Sequence, residues 1–198
     1  MKKILIATGN KGKKKEMLSF FQGIKGIEFL SLKDFPEGEE PEEDGQDFEE
    51  NAMIKAKYFA EKFNISTLGE DSGLKLTAFP EKFGLKTKRE IQAKDDNEWL
   101  RKFLEMLEGA EDRTATFYSG IGYFDPETKT EKTFLGKTSG IITEFPQTPL
   151  EHGIAVSSVF IPDGGDNVYS AMTKNDKNKV SHRGKSVRQM GEFLGKLI

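Results

Sequence analysis

The sequence predicts a mixed α/β protein built around a central sheet. Short apolar runs of strand length recur along the chain, and they alternate with stretches whose apolar residues fall at helical spacing. A long segment also folds back on itself at an Asp-Pro turn. With 198 residues the chain is long enough for a real core, in one domain or one domain with a small lobe.

The elements follow in order. Ile4 to Ala7 is a continuous apolar run, as expected of a buried strand. Met17, Leu18 and Phe21 give a helix from Lys13 to Phe21. "IEFLSL" is a second strand. Gly and Pro punctuate the acidic loop "FPEGEEPEEDGQD". Phe48, Ala52, Ala56, Phe59 and Phe63 form one helical stripe, with Asp47 as its cap and Glu50 in capping-box register. "ISTLGEDSGLKLTAF" reads as strand, acidic turn, strand. Trp99, Phe103, Leu104 and Leu107 face inward from a helix over 97–107. "TATFYSGIGYF" and "TEKTFLGKTSG" pair as a hairpin around "DPETK". "GIITEF" and "AVSSVFIP" are expected strands, and Val187, Met190, Leu194 and Leu197 mark a C-terminal helix. The chain is expected to be a single domain, with the hairpin at about 113–139 forming part of a second lobe.

Composition narrows the chemistry. A net charge of −3 with 32% charged residues gives no strong pull toward nucleic acid or an anionic membrane. With no cysteine there are no disulfides, thiolate metal sites or cysteine nucleophiles, and two histidines exclude a histidine-rich metal site. The opening apolar run is too short for a signal peptide, and no stretch approaches bilayer length. The expected setting is the cytoplasm.

Three clusters carry candidate chemistry. "ATGNKGKKKE" has a strand end, glycines and lysines, then a helix whose free N–H groups favour an anion. It fails the P-loop spacing, since only two residues separate Gly9 from Gly12 where four are needed, and Lys14 stands where Ser or Thr belongs. Taken alone it reads as the solvated start of a basic helix. It becomes a phosphate loop only if carboxylates elsewhere hold a metal against the same phosphates.

Glu42-Glu43-Asp44 and Glu70-Asp71 supply such carboxylates, and Mg²⁺ prefers one or two of them with phosphate and water. The bland alternatives are a solvated acidic loop, and an acidic turn with Gly73 at positive φ. Asn51 and Lys55 share a helix face between them. "KNKVSHRGKS" then places Ser181, His182 and Arg183 before a helix, as caps and exposed charge or as phosphate and carbonyl donors. Adjacent Ser181 and His182 are poorly placed for a Ser-His-Asp triad.

Together "ATGNKGKKKE", "EEDGQDFEENAMIKA", "EDSGL", "GIITEFP" and "NDKNKVSHRGKS" resemble the inosine triphosphate pyrophosphatase family, which hydrolyses non-canonical purine nucleoside triphosphates. The resemblance spans nearly the whole chain. It implies an elongated α/β fold with a mixed central sheet flanked by helices, a substrate cleft between two lobes, and a homodimer. It implies Mg²⁺-dependent hydrolysis of ITP, dITP or XTP to monophosphate and pyrophosphate. Thr8, Asn10, Lys13 and Lys55 would hold phosphates, with Lys13 also serving catalysis. Glu43, Glu70 and Asp71 would organise the metal, and Asp71 would be the base for water. Ser72 and Gly73 would present backbone groups, while Lys177, His182 and Arg183 would reach the nucleotide.

The resemblance departs at one place. The family's aromatic-Gly-aromatic-Asp-Pro segment reads "EHGIAVSSVFIP", so the aspartate position falls at Val156, the proline at Ser157 and the stacking aromatic near Gly153. His152 beside it reads as a surface histidine. Of a second block, written "FGLKTKRE", only Gly84 and Arg89 match. The phosphate and metal half is therefore expected intact and the base half rebuilt, with base discrimination relaxed or shifted. The alternative is a nucleotide-binding or sensor protein without catalysis. A kinase or P-loop NTPase is disfavoured by the glycine spacing.

Overall fold

The computed structural model describes residues 1–21, 23–87 and 90–197. In chain order the elements among these residues are β1 (Lys2–Ala7), α1 (Lys11–Phe20), β2 (Ile27–Ser31), α2 (Phe48–Phe63), β3 (Ser66–Leu76), α3 (Asp96–Met106), β4 (Thr114–Phe124), β5 (Glu131–Ile142), β6 (Phe160–Pro162), α4 (Lys174–Val180) and α5 (His182–Leu194). One six-stranded mixed sheet runs β2-β1-β3-β4-β5-β6. β1 is parallel to β2 and β3, and the remaining neighbours are antiparallel.

Both faces of the sheet are covered, which is why β1 reads as a continuous apolar run. Ile4 and Ile6 pack with Met17 of α1 and with Val187, Met190 and Leu194 of α5. Leu5 and Ala7 point the other way, onto Phe59 of α2. A further core lies under α3, where Leu100, Phe103 and Leu107 meet Leu74, Leu76 and Phe160. Two helices sit closer to the sheet than side chains permit. A Cβ at Gly69 would come 2.1 Å from the Ala52 carbonyl of α2, and one at Gly136 would come 1.9 Å from the His182 carbonyl. Glycine at these two positions lets α2 and the start of α5 seat directly over the strands.

Several expectations are corrected. "ISTLGEDSGLKL" holds no turn: β3 is unbroken, with Glu70 opposite Ile121 and Asp71 opposite Gly120. Gly73 is not among the positive-φ glycines. The acids stay in the strand because each finds cationic partners, described below. "GIITEF" is no separate strand, since Gly140, Ile141 and Ile142 end β5. In "AVSSVFIP", Ala155–Ser158 form a 3-10 turn and only Phe160–Pro162 is a strand. Leu197 lies beyond α5 and is 39% exposed. α1 begins two residues earlier than expected. Asp47 caps α2 by accepting from the Glu50 N–H at 2.8 Å, but the Glu50 carboxylate reaches the Gln46 amide instead of closing the box.

The β4–β5 hairpin continues the same sheet, and its turn is anchored by Asp125. One carboxylate oxygen, Oδ2, accepts from Lys2 at 2.8 Å, Ser66 at 2.9 Å and Tyr123 at 3.2 Å. The other accepts from the Glu127 and Thr128 amides. Burial alone would raise the Asp125 pKa. The hydrogen bonds from Lys2, the Thr128 amide and Ser66 outweigh it and hold the carboxyl well below the usual range.

Replacing Asp125 by Asn should destabilise the fold by about 2–3 kcal/mol, a Tm loss of roughly 5–10 °C; half-exposed Lys2 contributes little of it. A group with a depressed folded pKa stabilises above its unfolded pKa and loses that contribution as pH falls toward the folded one. The gap between wild type and Asp125→Asn should therefore be constant near neutrality and shrink below about pH 4. Urea melts of both proteins across pH 2–7 check this, and a gap independent of pH would refute it.

Candidate active site

β1 pairs with β3 only as far as Ala7 opposite Gly69. Beyond that point no described strand continues the pairing, and residues 70–76 of β3 face an opening. Ligands of open α/β sheets sit at such places, past the carboxyl ends of strands.

The loop after β1 forms one wall. Asn10 caps α1, its Oδ1 accepting from the Lys13 amide at 3.0 Å, and its own N–H donates to Thr8 Oγ1 at 3.2 Å. The first turn of α1 carries lysines and no acid, so its dipole is left for an external anion. Lys13 Nζ lies 3.0 Å from Glu70 Oε2.

Strand pleating sends Glu70 and Asp71 to opposite faces of the sheet. On the α1/α5 face, Glu70 is 1% exposed and accepts from Arg183 Nε at 3.1 Å and Ser119 Oγ at 3.2 Å. Burial would raise its pKa, but Lys13 and Arg183 outweigh it and keep the carboxylate ionised. On the α2 face, Asp71 accepts from Asn51 Nδ2 at 3.1 Å, and the amide orientation of Asn51 is set by the Gly45 N–H on its Oδ1. Lys55 Nζ reaches Glu43 Oε2 at 3.0 Å, the Glu70 carbonyl at 3.1 Å and Asp71 Oδ1 at 3.9 Å. Burial dominates at Asp71 and lifts its pKa despite Lys55 and Lys13.

α5 delivers the third wall. Ser181 caps it by accepting from the Gly184 N–H at 3.0 Å. Arg183 is fully engaged: Nε on Glu70, one terminal nitrogen on Ser72 Oγ at 3.0 Å, and the other on Glu16. Glu16 also pairs with Lys177 of α4 at 2.5 Å. Burial would raise the Glu16 pKa, yet Arg183 and Lys177 pull it down. His182 stacks on Phe117 with centroids 4.7 Å apart, and its Nδ1 is buried without a partner. Burial and the adjacent guanidinium hold the imidazole well below its usual pKa, so it is neutral at physiological pH.

The opening consists of two adjoining cavities. One of about 520 Å³ is lined by Thr8, Asn10, Lys13, Glu43, Lys55 and Glu70 among others. The second, about 470 Å³, is lined by Ser72, Gly73, Lys177, His182 and Arg183 together with Leu74, Ile91, Trp99, Ile154 and Val156. Asn10, Lys13, Asp96 and Gly153 border both. Every residue expected to bind substrate is therefore at the cleft. Asp71 lines neither cavity; it sits behind Lys55 and Asn51.

The expected metal ligands separate. Glu43, Glu70 and Asp71 do not gather as a trio, and no group of three metal-capable side chains occurs among the described residues. The pleat is the reason, because it turns Glu70 away from Asp71. Glu43 and Asp71, however, already share one ammonium, that of Lys55. Two hard carboxylates flanking a cation position, one of them lining the first cavity, fit Mg²⁺, which completes its shell with water and phosphate.

Sequence reasoning left Glu16 and Asn51 out of the site. Glu16 stands three residues after Lys13 on α1 and so shares its face, a spacing that could have found it. Nothing local marks Asn51 as a support for Asp71, because that contact crosses from α2 to β3. In the segment 152–156, Gly153 and Val156 line the second cavity, and His152, 87% exposed at its side chain, borders the first. Gly84 is at φ +66°. Its carbonyl abuts Gly73, where a Cβ would approach it to 2.2 Å. Arg89 lies outside the described residues.

Residues 4–193 match the Ham1 family. A dITP/XTP pyrophosphatase of Halalkalibacterium halodurans is 34% identical over 98% of this chain and all of the relative. One of Bacillus subtilis is 34% identical over 98% of each. Among solved structures, a HAM1 protein from Coxiella burnetii superposes with a TM-score of 0.83 at 28% identity, covering 99% of this chain and 100% of that one. The Staphylococcus aureus Ham1 protein gives 0.81 at 28% identity over the full length of both. The similarity runs from the first strand into the last helix, through every block that reaches the cleft, and the chain belongs to the Ham1 family.

Proposed function

We propose that the chain hydrolyses non-canonical purine nucleoside triphosphates such as ITP, dITP and XTP, releasing the monophosphate and pyrophosphate. The observation that carries this reading is the divided cleft. A cavity where Thr8, Lys13 and Lys55 stand beside the carboxylates of Glu43 and Glu70 adjoins a second cavity with an apolar wall of Leu74, Ile91, Trp99, Ile154 and Val156 that ends at His182 and Arg183. The relatives named dITP/XTP pyrophosphatase support the substrate class.

In the resting chain Lys13 and Lys55 are paired with Glu70, Glu43 and Asp71. An arriving triphosphate competes for those ammonium groups. The lysines and the α1 N-terminus would neutralise its charge, and Lys55 turning to phosphate would free Glu43 and Asp71. Those two carboxylates would hold Mg²⁺, which when bound offsets phosphate charge and lowers the pKa of water. Asp71, whose pKa burial has raised, suits the task of taking a proton from the attacking water. Asn51 would keep its carboxylate oriented. His182 would lie at the base edge, with Arg183 held beside it by Glu70, Ser72 and Glu16.

Base preference is part of the proposal. Val156 puts a methyl-bearing wall where the family pattern has an aspartate, and apolar pockets discriminate weakly between isosteric bases. The homodimer and the cytoplasmic setting implied by the resemblance belong to the same reading. No described helix is long and apolar enough to cross a membrane. The second reading, a nucleotide-binding protein without turnover, draws on the withdrawal of Asp71 from the cavity wall.

Two measurements decide. Purified protein offered ITP, XTP, dITP, GTP, ATP, dUTP and CTP should release pyrophosphate from ITP or XTP well above GTP and ATP, and chelation should abolish release. Binding without release would favour the second reading, and orthophosphate release would refute both. Asp71→Asn should lower kcat by about 10²–10⁴-fold with an unchanged melting curve, since Asn keeps the contact to Asn51. Full activity in that variant would remove Asp71 from the mechanism.

A further inference from the structure

The two cavities meet beneath one short segment, and a single residue ties that segment to both walls. The Gly153 N–H donates to Asp96 Oδ2 at 2.7 Å, on the first turn of α3. The Gly153 carbonyl accepts from Asn10 Nδ2 at 3.0 Å, on the phosphate loop. His152 Nδ1 lies 3.3 Å from the same Asp96 oxygen. Gly153 sits at φ +81°, and a Cβ there would come 2.6 Å from Asn10 Oδ1. Only glycine lets the backbone lie this close to the loop. The position is also where the family pattern places an aromatic ring, so this chain spans it with backbone hydrogen bonds instead.

Asp96 leaves the capping of α3 to its neighbour. The cap of α3 is Asp95, whose carboxylate accepts from the Glu98 amide at 2.8 Å. Asn10, by contrast, is fixed from three sides, by Thr8, by the Lys13 amide and by Gly153.

We propose that Asp96 is a positioning residue for the triphosphate. Through Gly153 it holds Asn10, and with it the phosphate loop, in register with the nucleoside cavity. The identity of the ligand rests on the pyrophosphatase reading above; the bridge itself does not rest on turnover.

The test compares wild type with Asp96→Ala and Asp96→Asn. It measures kcat and KM for ITP, the Kd of inorganic tripolyphosphate by calorimetry, and the melting temperature. Asp96→Ala should raise the ITP KM and the tripolyphosphate Kd about tenfold, with kcat within about twofold and an unchanged melting temperature. Asp96→Asn keeps an oxygen that can accept from the Gly153 N–H and should stay near wild type. Unchanged KM and Kd in Asp96→Ala would overturn the proposal. So would tighter tripolyphosphate binding, which would mean that the carboxylate acts only by repulsion. An Asp96→Asn variant as impaired as Asp96→Ala, or a loss of kcat and melting temperature together, would also overturn it. If wild type turns over no nucleotide, the hydrolase reading fails while the tripolyphosphate titration still decides the bridge. Wild type failing to bind tripolyphosphate at all would refute both.

Discussion

Two carboxylates withdrawn from water, and the three cations that answer them, organise this structure. Glu70 takes Lys13 and Arg183; Glu16 takes Arg183 and Lys177. Glu70 and Arg183 are 1% and 4% exposed, so neither could stand there alone. Removing one partner of such a pair leaves a buried charge uncompensated, at about 3–5 kcal/mol. The chain of charge thus locks the phosphate loop, β3, α4 and α5 into one geometry. Three cations against two carboxylates leave one unit of positive charge on that face, which favours an anion. Across the sheet, Lys55 faces Glu43 and Asp71, and with both ionised one unit of negative charge remains, which favours a cation. Phosphate and a divalent ion are complementary to those two surpluses.

The backbone brings these charges together by two simple devices. The pleat of β3 deals consecutive residues to opposite faces, so Glu70 and Ser72 meet α5 while Asp71 meets α2. Glycine then removes the side chains that would hold the helices off. At Gly136 the first turn of α5 rests on β5, which carries His182 and Arg183 inward to depths their polarity would otherwise refuse. Apolar packing under α1, α5 and α3 offsets the desolvation that these polar positions cost.

Much of this was legible in the sequence, and what was not has a physical cause. β1, α2, the β4–β5 hairpin and α5 follow from apolar period and caps, because those signals are local. The cleft residues from Thr8 to Arg183 were found because their blocks match a family pattern. The acidic turn was misplaced since Glu70-Asp71-Ser72-Gly73 has turn composition, while its ladder to β4 and its contacts from α1, α2 and α5 keep it extended. Those contacts join residues far apart in sequence, as with Glu70 and Arg183. The same is true of Asn51, whose contact to Asp71 crosses from α2 to β3, whereas Glu16 shares a helix face with Lys13. "AVSS" runs into the apolar stretch "VFIP", yet it closes a 3-10 turn through Ser157 N–H on the Ile154 carbonyl.

Under the proposed reading, the second cavity would meet the base with a different set of side chains from the family pattern that the sequence resembles. Where the family pattern has an aspartate and a ring, this chain presents Val156, Gly153 and the wall formed by Ile91, Trp99 and Ile154. Such a wall excludes water and selects by shape, which separates bases of similar outline poorly. At one end of the cavity stand His182 and Arg183. There Arg183 already directs its donors at Glu70, Ser72 and Glu16, so little of its hydrogen-bonding capacity is uncommitted. His182 is the opposite case: neutral, stacked on Phe117, and with Nδ1 unpartnered. A neutral imidazole offers one donor and one acceptor, and its tautomer adapts to what it meets. Under the proposed reading, base choice would involve this ring, held in place by its stacking on Phe117, together with the apolar wall of the second cavity.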